Sequence, residues 1–171
     1  MVEAVIAASS TATTSELAGA RLGTRFGRLD LSSRLAVLAV EKLGIDFESL
    51  SRDRIAICLS AKTGSLATDL EFWKGRDAAG GPSPTLFAYT LPSSAIGEIA
   101  IRHQITGPNL CLFGDDEHLL SEAKHLIASG EVDACICVSC QVLTPEVAEI
   151  VRAAEIVEAK AIFIKASGTA Q

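Results

Sequence analysis

The residues with the greatest chemical potential in this chain are crowded into one turn. Gly107-Pro108-Asn109-Leu110-Cys111-Leu112-Phe113-Gly114-Asp115-Asp116-Glu117-His118 reads as a strand, a sharp turn and the start of a helix. A helix N-terminus carries partial positive charge, so this geometry can present a reactive side chain or hold a negative one. Three carboxylates and an imidazole follow one another there. As an acid/base or nucleophilic pair, Asp116 with Glu117 or His118 is poorly placed, because helix residues one or two apart do not face each other. As metal ligands, consecutive residues on one turn diverge. The positions favour a structural role instead: Asp115 or Asp116 caps the helix by accepting orphan backbone N–H bonds, stabilising it by about 1 kcal/mol.

The five cysteines are the next candidates. Cys135, Cys137 and Cys140 sit in a segment that reads as a buried strand, where Cys135 and Cys137 share one face and Cys140 points to the other. Sulfurs on opposite faces do not converge on one ion, and no C-x-x-C pair recurs, so the expectation is no metal and cysteine as a small core hydrophobe. An odd number of cysteines also argues against a disulfide framework. Gly64-Ser65 and Gly80-Gly81-Pro82 lack the spaced glycines of phosphate- or dinucleotide-binding loops, and no Gly-x-Ser-x-Gly elbow is present. No cofactor is implied. Trp73 is expected in the core or in a satellite cluster under the 77–83 loop.

At 171 residues the chain is expected to form a single domain over 1–171, large enough to bury about two-thirds of its unfolded surface. Apolar residues make up 49% and aromatic residues 5%, which predicts an aliphatic core. A net charge of −6 without a Lys/Arg stripe argues against nucleic acid. No apolar run approaches the roughly 18 residues of a membrane span, and the N-terminus lacks a basic, apolar leader. These features predict a soluble cytoplasmic protein with no membrane partner.

The elements that must position the turn follow from periodicity. Residues 2–8 read as a short strand, followed by a Ser/Thr-rich connection through Gly27. Asp30 caps a helix from Leu31 to Leu43, with Leu31, Leu35, Leu38, Ala39 and Lys42 on one stripe and Gly44 ending it. Residues 54–60 form a near-continuous apolar strand, as in a sheet covered on both faces. Helices are predicted over 63–75, over 94–105 (Ile96, Ala100 and Ile101 inward), over 116–129, and from Pro145 to about Ala154. Strands are predicted over 109–113, 133–139 and 161–165. The alternation predicts an α/β fold whose sheet has about five strands, at least three of them parallel.

Several of these blocks, in order and over almost the whole chain, resemble the N-terminal half of β-ketoacyl synthases, which have the thiolase-like fold. Arg25-Phe26-Gly27-Arg28-Leu29-Asp30 is similar to the family's approach to its first long helix. Thr63-Gly64-Ser65 stands where the family carries a Gly/Ser-rich loop. Pro84 through Gly97 matches the loop and helix that lead to Gly107-Pro108-Asn109, and Ala128 through Ala134 resembles the turn before a strand that ends in paired glycines, here Ser139 and Cys140. The resemblance implies a thiolase-like half-domain with a mixed, mostly parallel sheet.

It also implies what is missing. Counting from Asn109 at the family's spacing, the nucleophilic cysteine position falls on Asp116, and a carboxylate cannot hold an acyl chain as a thioester. The family's C-terminal half, with two histidines and a lysine, has no counterpart here; His103, His118 and His125 match none of those roles. No catalytic residue is carried over. Family members dimerise through the strand that here spans Asn109, Leu110, Cys111, Leu112 and Phe113, and an unpaired apolar edge is an aggregation risk in any case.

In the 116–128 helix, Leu119, Leu120, Ala123, Leu126 and Ile127 form one stripe, and Glu117, Ser121, Glu122, Lys124 and His125 occupy the other side. A second half-domain packed over those polar groups would strand them at about 1–3 kcal/mol each, which predicts a standalone half-fold. The expectation is therefore a catalytically inactive, β-ketoacyl-synthase-like accessory or structural subunit in fatty-acid-like or polyketide-like biosynthesis. Its partner would be a second copy or a full-length ketosynthase, with acyl-carrier protein as a further one. Two alternatives remain. An enzyme of altered chemistry, with Asp116 as base or nucleophile, would need an enclosed cavity beside that residue. A non-catalytic acyl or acyl-carrier-protein binding module would need an apolar tunnel beside residues 84–97.

Overall fold

In the computed structural model, which describes residues 3–77 and 79–168, the strands are β1 (Ala4–Thr13), β2 (Ile55–Ser60), β3 (Asn109–Leu112), β4 (Ala134–Leu143) and β5 (Ile156–Ala166). The helices are α1 (Thr14–Leu17), α2 (Leu31–Glu41), α3 (Leu66–Lys74), α4 (Pro84–Phe87), α5 (Ser94–His103), α6 (Asp116–Ala128) and α7 (Pro145–Val151). Val2, expected to open the first strand, and Ala78, within the expected 77–83 loop, lie outside the described residues.

The sheet order is β1-β5-β4-β2-β3. β4, β2 and β3 are parallel, while β5 is antiparallel to both β4 and β1. The apolar runs take the centre: every residue of β2 is buried, as is nearly all of β4. β1 and β3, which carry more polar or exposed residues, form the edges.

The two faces build two cores. On one, Ile57, Leu59, Ile136, Val138 and Phe163 meet α2 and α5 through Leu35, Val37, Ala39, Ile96 and Ile99. On the other, Ala56, Cys58, Cys135, Cys137 and Ile164 meet α6 through Leu119, Ala123, Leu126 and Ile127. The start of α2 is pinned by Asp30, whose carboxylate accepts from Ser33 N at 3.0 Å and Thr68 Oγ1 at 2.7 Å. Past its end, Gly44 takes φ +63°, a left-handed conformation that suits glycine.

Several boundaries depart from expectation. β1 does not end at residue 8: Ser9 through Thr13 continue it, pairing with Ile162 through Glu158. In that stretch Ala12 is fully buried and Ser10 Oγ donates to Ala39 O at 2.5 Å, so a hydroxyl-rich sequence satisfies an inward strand position by hydrogen bonding. β4 and β5 extend beyond 139 and before 161, because each supplies the other's backbone partners from Ala134↔Lys165 to Leu143↔Ile156. α2 stops at Glu41, and Lys42 turns outward to Thr11 O and Glu16 Oε1, both at 2.5 Å. α3 begins only at Leu66, after Gly64 at φ +58°. α5 ends at His103 and α7 at Val151, each followed by a left-handed residue, Gln104 and Arg152.

Two inward assignments are corrected. Ile101 is 63% exposed, and Ile99 fills the core in its place. Trp73 is 62% exposed, with the Arg76 guanidinium 4.3 Å from its ring centre, so a cation over the indole face takes the place of core packing.

Candidate functional site

The turn after β3 lies beside the ends of β2 and β3 and the middle of β4. Ser60 closes β2, Leu112 closes β3, and Ser139 lies beside Ser60 in register on β4. Ser60 Oγ donates to Gly114 O at 2.6 Å and so holds the turn against β2. Asp115 is the N-cap of α6, its Oδ1 accepting from His118 N at 2.9 Å. That backbone bond, aided by the Lys62 charge, holds the Asp115 carboxyl below the usual range. Asp116 is the first residue of the helix, and its Oδ1 accepts from the buried Ser139 Oγ at 2.6 Å.

The capping expectation therefore resolves onto Asp115, while Asp116 bridges helix and sheet. Among the described residues, neither Glu117 nor His118 hydrogen-bonds Asp116. Both are exposed, as are Ser121, Lys124 and His125, whereas Leu119, Ala123, Leu126 and Ile127 are buried, as the one-sided stripe requires. His103 is remote from the turn in sequence and setting, stacked on Phe47 with ring centres 4.4 Å apart and its Nε2 3.4 Å from Glu41 Oε1.

Sequence reasoning missed Ser60, and named Ser139 only as standing at a paired-glycine position, without its bond to Asp116. The available signal was a lone hydroxyl near the end of each of two buried apolar runs, and it acquires meaning only when parallel pairing puts both hydroxyls beside the same turn.

Cys58, Cys135 and Cys137 lie on the α6 face and Cys140 on the other, as the strand alternation predicts. Cys135 Sγ is 3.5 Å from Cys58 Sγ and 3.8 Å from Cys137 Sγ. Sulfur hydrogen bonds with Cys137 and Cys58, together with burial, push the Cys135 thiol well up, and burial takes Cys140 to about 11. Cys135 and Cys140 are thus packed thiols that resist ionisation, while the hydrogen bond from Cys135 lowers Cys58. Among the described residues, no group of three or more His, Cys, Asp or Glu could hold a metal ion. No helix among them is long and apolar enough to cross a membrane.

β3 is paired on one side only, with β2. Asn109 is exposed, Leu110, Cys111 and Leu112 are half-buried, and Phe113 is 74% exposed. Gly64 approaches the Phe113 ring so closely that a β-carbon there would stand 3.2 Å from Cε1. Two larger clefts lie elsewhere. One of 440 Å³ has Leu43, Leu50, Phe163 and Lys165 in its walls, and one of 390 Å³ is walled by residues of the 28–34 and 83–89 segments and Glu71.

A five-stranded mixed sheet with helices on both faces, and a parallel strand running into a helix at its edge, is the α/β thiolase-like fold of ketosynthases. The chain superimposes with a TM-score of 0.73 on a chain of the ketosynthase–chain length factor complex from Xenorhabdus doucetiae, at 16% identity, covering 96% of this chain and 79% of that one. The ishigamide ketosynthase/chain length factor gives a TM-score of 0.80 at 18% identity over 99% of this chain and 63% of its own. A type II PKS acyl-carrier protein–ketosynthase complex gives 0.78 at 13% identity over 98% and 64%. The chain thus spans less than two thirds of the latter two, and at these identities the likeness shows the shared fold. No family model matches the sequence. No curated protein matches it.

Proposed function

We propose that this chain is a catalytically inactive, β-ketoacyl-synthase-like accessory or structural subunit in a fatty-acid-like or polyketide-like biosynthetic pathway. The observation that carries the reading is the start of α6. On a ketosynthase-like fold, the residue that follows the turn is Asp116, and its carboxylate is engaged by Ser139 at 2.6 Å. A carboxylate there cannot carry an acyl thioester, and neither larger cleft has Asp116 in its walls.

In this reading the partner is a second copy or a full-length ketosynthase, joined along the open edge of β3 through Asn109, Leu110, Cys111, Leu112 and Phe113. The free backbone groups of that edge and the exposed Phe113 ring support it. Among the similar structures, ketosynthase is solved with chain length factor and with acyl-carrier protein, which supports both a ketosynthase partner and a carrier protein as a further one. The assembly would act in the cytoplasm.

The test is a native pull-down of the tagged chain from its source cells, read by mass spectrometry, alongside incubation with acyl-coenzyme A. Recovery of a ketosynthase or acyl-carrier protein, with no acyl adduct on this chain, is expected. Recovery alone, together with a turnover that Asp116→Asn abolishes, would overturn the accessory role.

A further inference from the structure

Five of the chain's nine arginines, Arg25, Arg52, Arg54, Arg76 and Arg102, pair with a carboxylate. Arg21, Arg28, Arg34 and Arg152 have no side-chain partner among the described residues, although the chain carries 21 Asp and Glu residues. Of these, Arg28 and Arg34 line the same 390 Å³ cleft. Arg34 Nε is shielded from solvent and has no acceptor among the described residues.

Asp30 also lines the cleft, its carboxylate accepting from Ser33 N and Thr68 Oγ1 and bonding neither guanidinium. A second carboxylate, Glu71, lines the cleft with no side-chain partner among the described residues, and so does the Thr85 hydroxyl. Leu31 and Leu86 supply apolar wall. The cleft therefore offers a guanidinium pair that lacks an anion and a carboxylate that lacks a donor. Guanidinium is the side chain best suited to phosphate and carboxylate oxygens, and a bare carboxylate across the cleft selects a hydroxyl or amine.

We infer that this cleft binds a small organic anion, a phosphate monoester or a carboxylate, that also bears a hydroxyl or amino donor. Arg28 and Arg34 take the anion, and Glu71 with Thr85 takes the donor end. The site is separate from the Asp116 turn and from the β3 edge, so it does not depend on the accessory role.

The test is calorimetric titration of the whole chain with glycerol 3-phosphate, with glycerate, and with glycerol as the uncharged control. Saturable binding of at least one anion and none of glycerol is expected. Binding of the phosphate alone or of the carboxylate alone identifies which headgroup is selected. Arg34→Gln should weaken that binding about tenfold or more, the scale of a lost charge-assisted hydrogen bond. Arg152→Gln, on an exposed arginine outside the cleft, should leave it unchanged. If Arg34→Gln does not fold, Arg28→Gln on an exposed position makes the same test. No saturable anion binding, or binding indifferent to both cleft arginines, overturns the inference.

Discussion

Ser139 Oγ donates to Asp116 Oδ1 across 2.6 Å, joining the middle of the central strand β4 to the first turn of α6. Ser139 is buried, so its hydroxyl depends on that carboxylate, whereas Asp116 is only half-buried and has access to water. The dependence is therefore one-sided.

Asp116→Ala should destabilise the chain by about 1 kcal/mol or somewhat more, the scale of leaving a buried hydroxyl unpaired. Asp116→Asn keeps an acceptor and should cost less. Urea unfolding midpoints separate the two, and equal loss in both variants would show that the Ser139 bond is not what anchors the helix.

Self-association through β3 is best tested at Phe113. Leu112 is half-buried on the α6 face and its replacement would disturb the core, but Phe113 is 74% exposed. Phe113→Lys should leave thermal stability unchanged and shift any homodimer toward monomer in sedimentation velocity. An unchanged sedimentation coefficient for a dimeric parent would remove Phe113 from the interface.

Arg54 grips Asp133 with Nε at 3.0 Å and Nη2 at 2.7 Å, tying the approach to β2 to that of β4. The guanidinium lowers the Asp133 carboxyl below its ordinary 3.8, so the folded state binds that proton less readily than the unfolded state does. This stabilisation is fully present above pH 3.8 and is lost as pH falls through the lowered folded value. Asp133→Asn should flatten the unfolding midpoint against pH in that acidic window, with screening by water keeping the effect modest. A profile identical to the parent's would refute the linkage.

His103 titrates in the opposite sense to a histidine that gains an acidic partner. Burial against Phe47 lowers it below its ordinary 6.5, with Glu41 opposing and Arg102 reinforcing the shift. The unfolded chain therefore takes up a proton first, and stability should decline as pH drops from 6.5 toward the lowered folded value, then level off. His103→Gln should remove that slope in thermal melts collected across the range, and a persistent slope would assign it to another group.

Where the pattern was one of apolar periodicity, the sequence was legible. The α6 stripe, the buried run of β2 and the alternation of Cys135, Cys137 and Cys140 all follow from burying one helix face or both strand faces. By contrast, α2 departs from its expected stripe, with Ala36, Val37 and Val40 also buried and Lys42 exposed. The Asp30 cap was also legible, because a short carboxylate before an apolar run has few other uses. Ser9 through Thr13 were not, since hydroxyl-rich residues read as a connection until β5 supplies their backbone partners. Trp73 misled for a related reason: its bulk predicts burial, yet Arg76 covers its ring at the surface.

The sequence by itself determined the α/β class, the central strands and the carboxylate-bearing turn, because these depend on hydrophobic period and on residues adjacent in the chain. Only the tertiary structure decided that Asp115 caps while Asp116 bridges to Ser139, that β3 ends the sheet, and that Arg28 and Arg34 share a cleft with Glu71. Apart from the Asp115 cap, which is local, each of those relationships joins segments far apart in the chain. It is set by strand order and pairing register, which no local pattern of residues encodes.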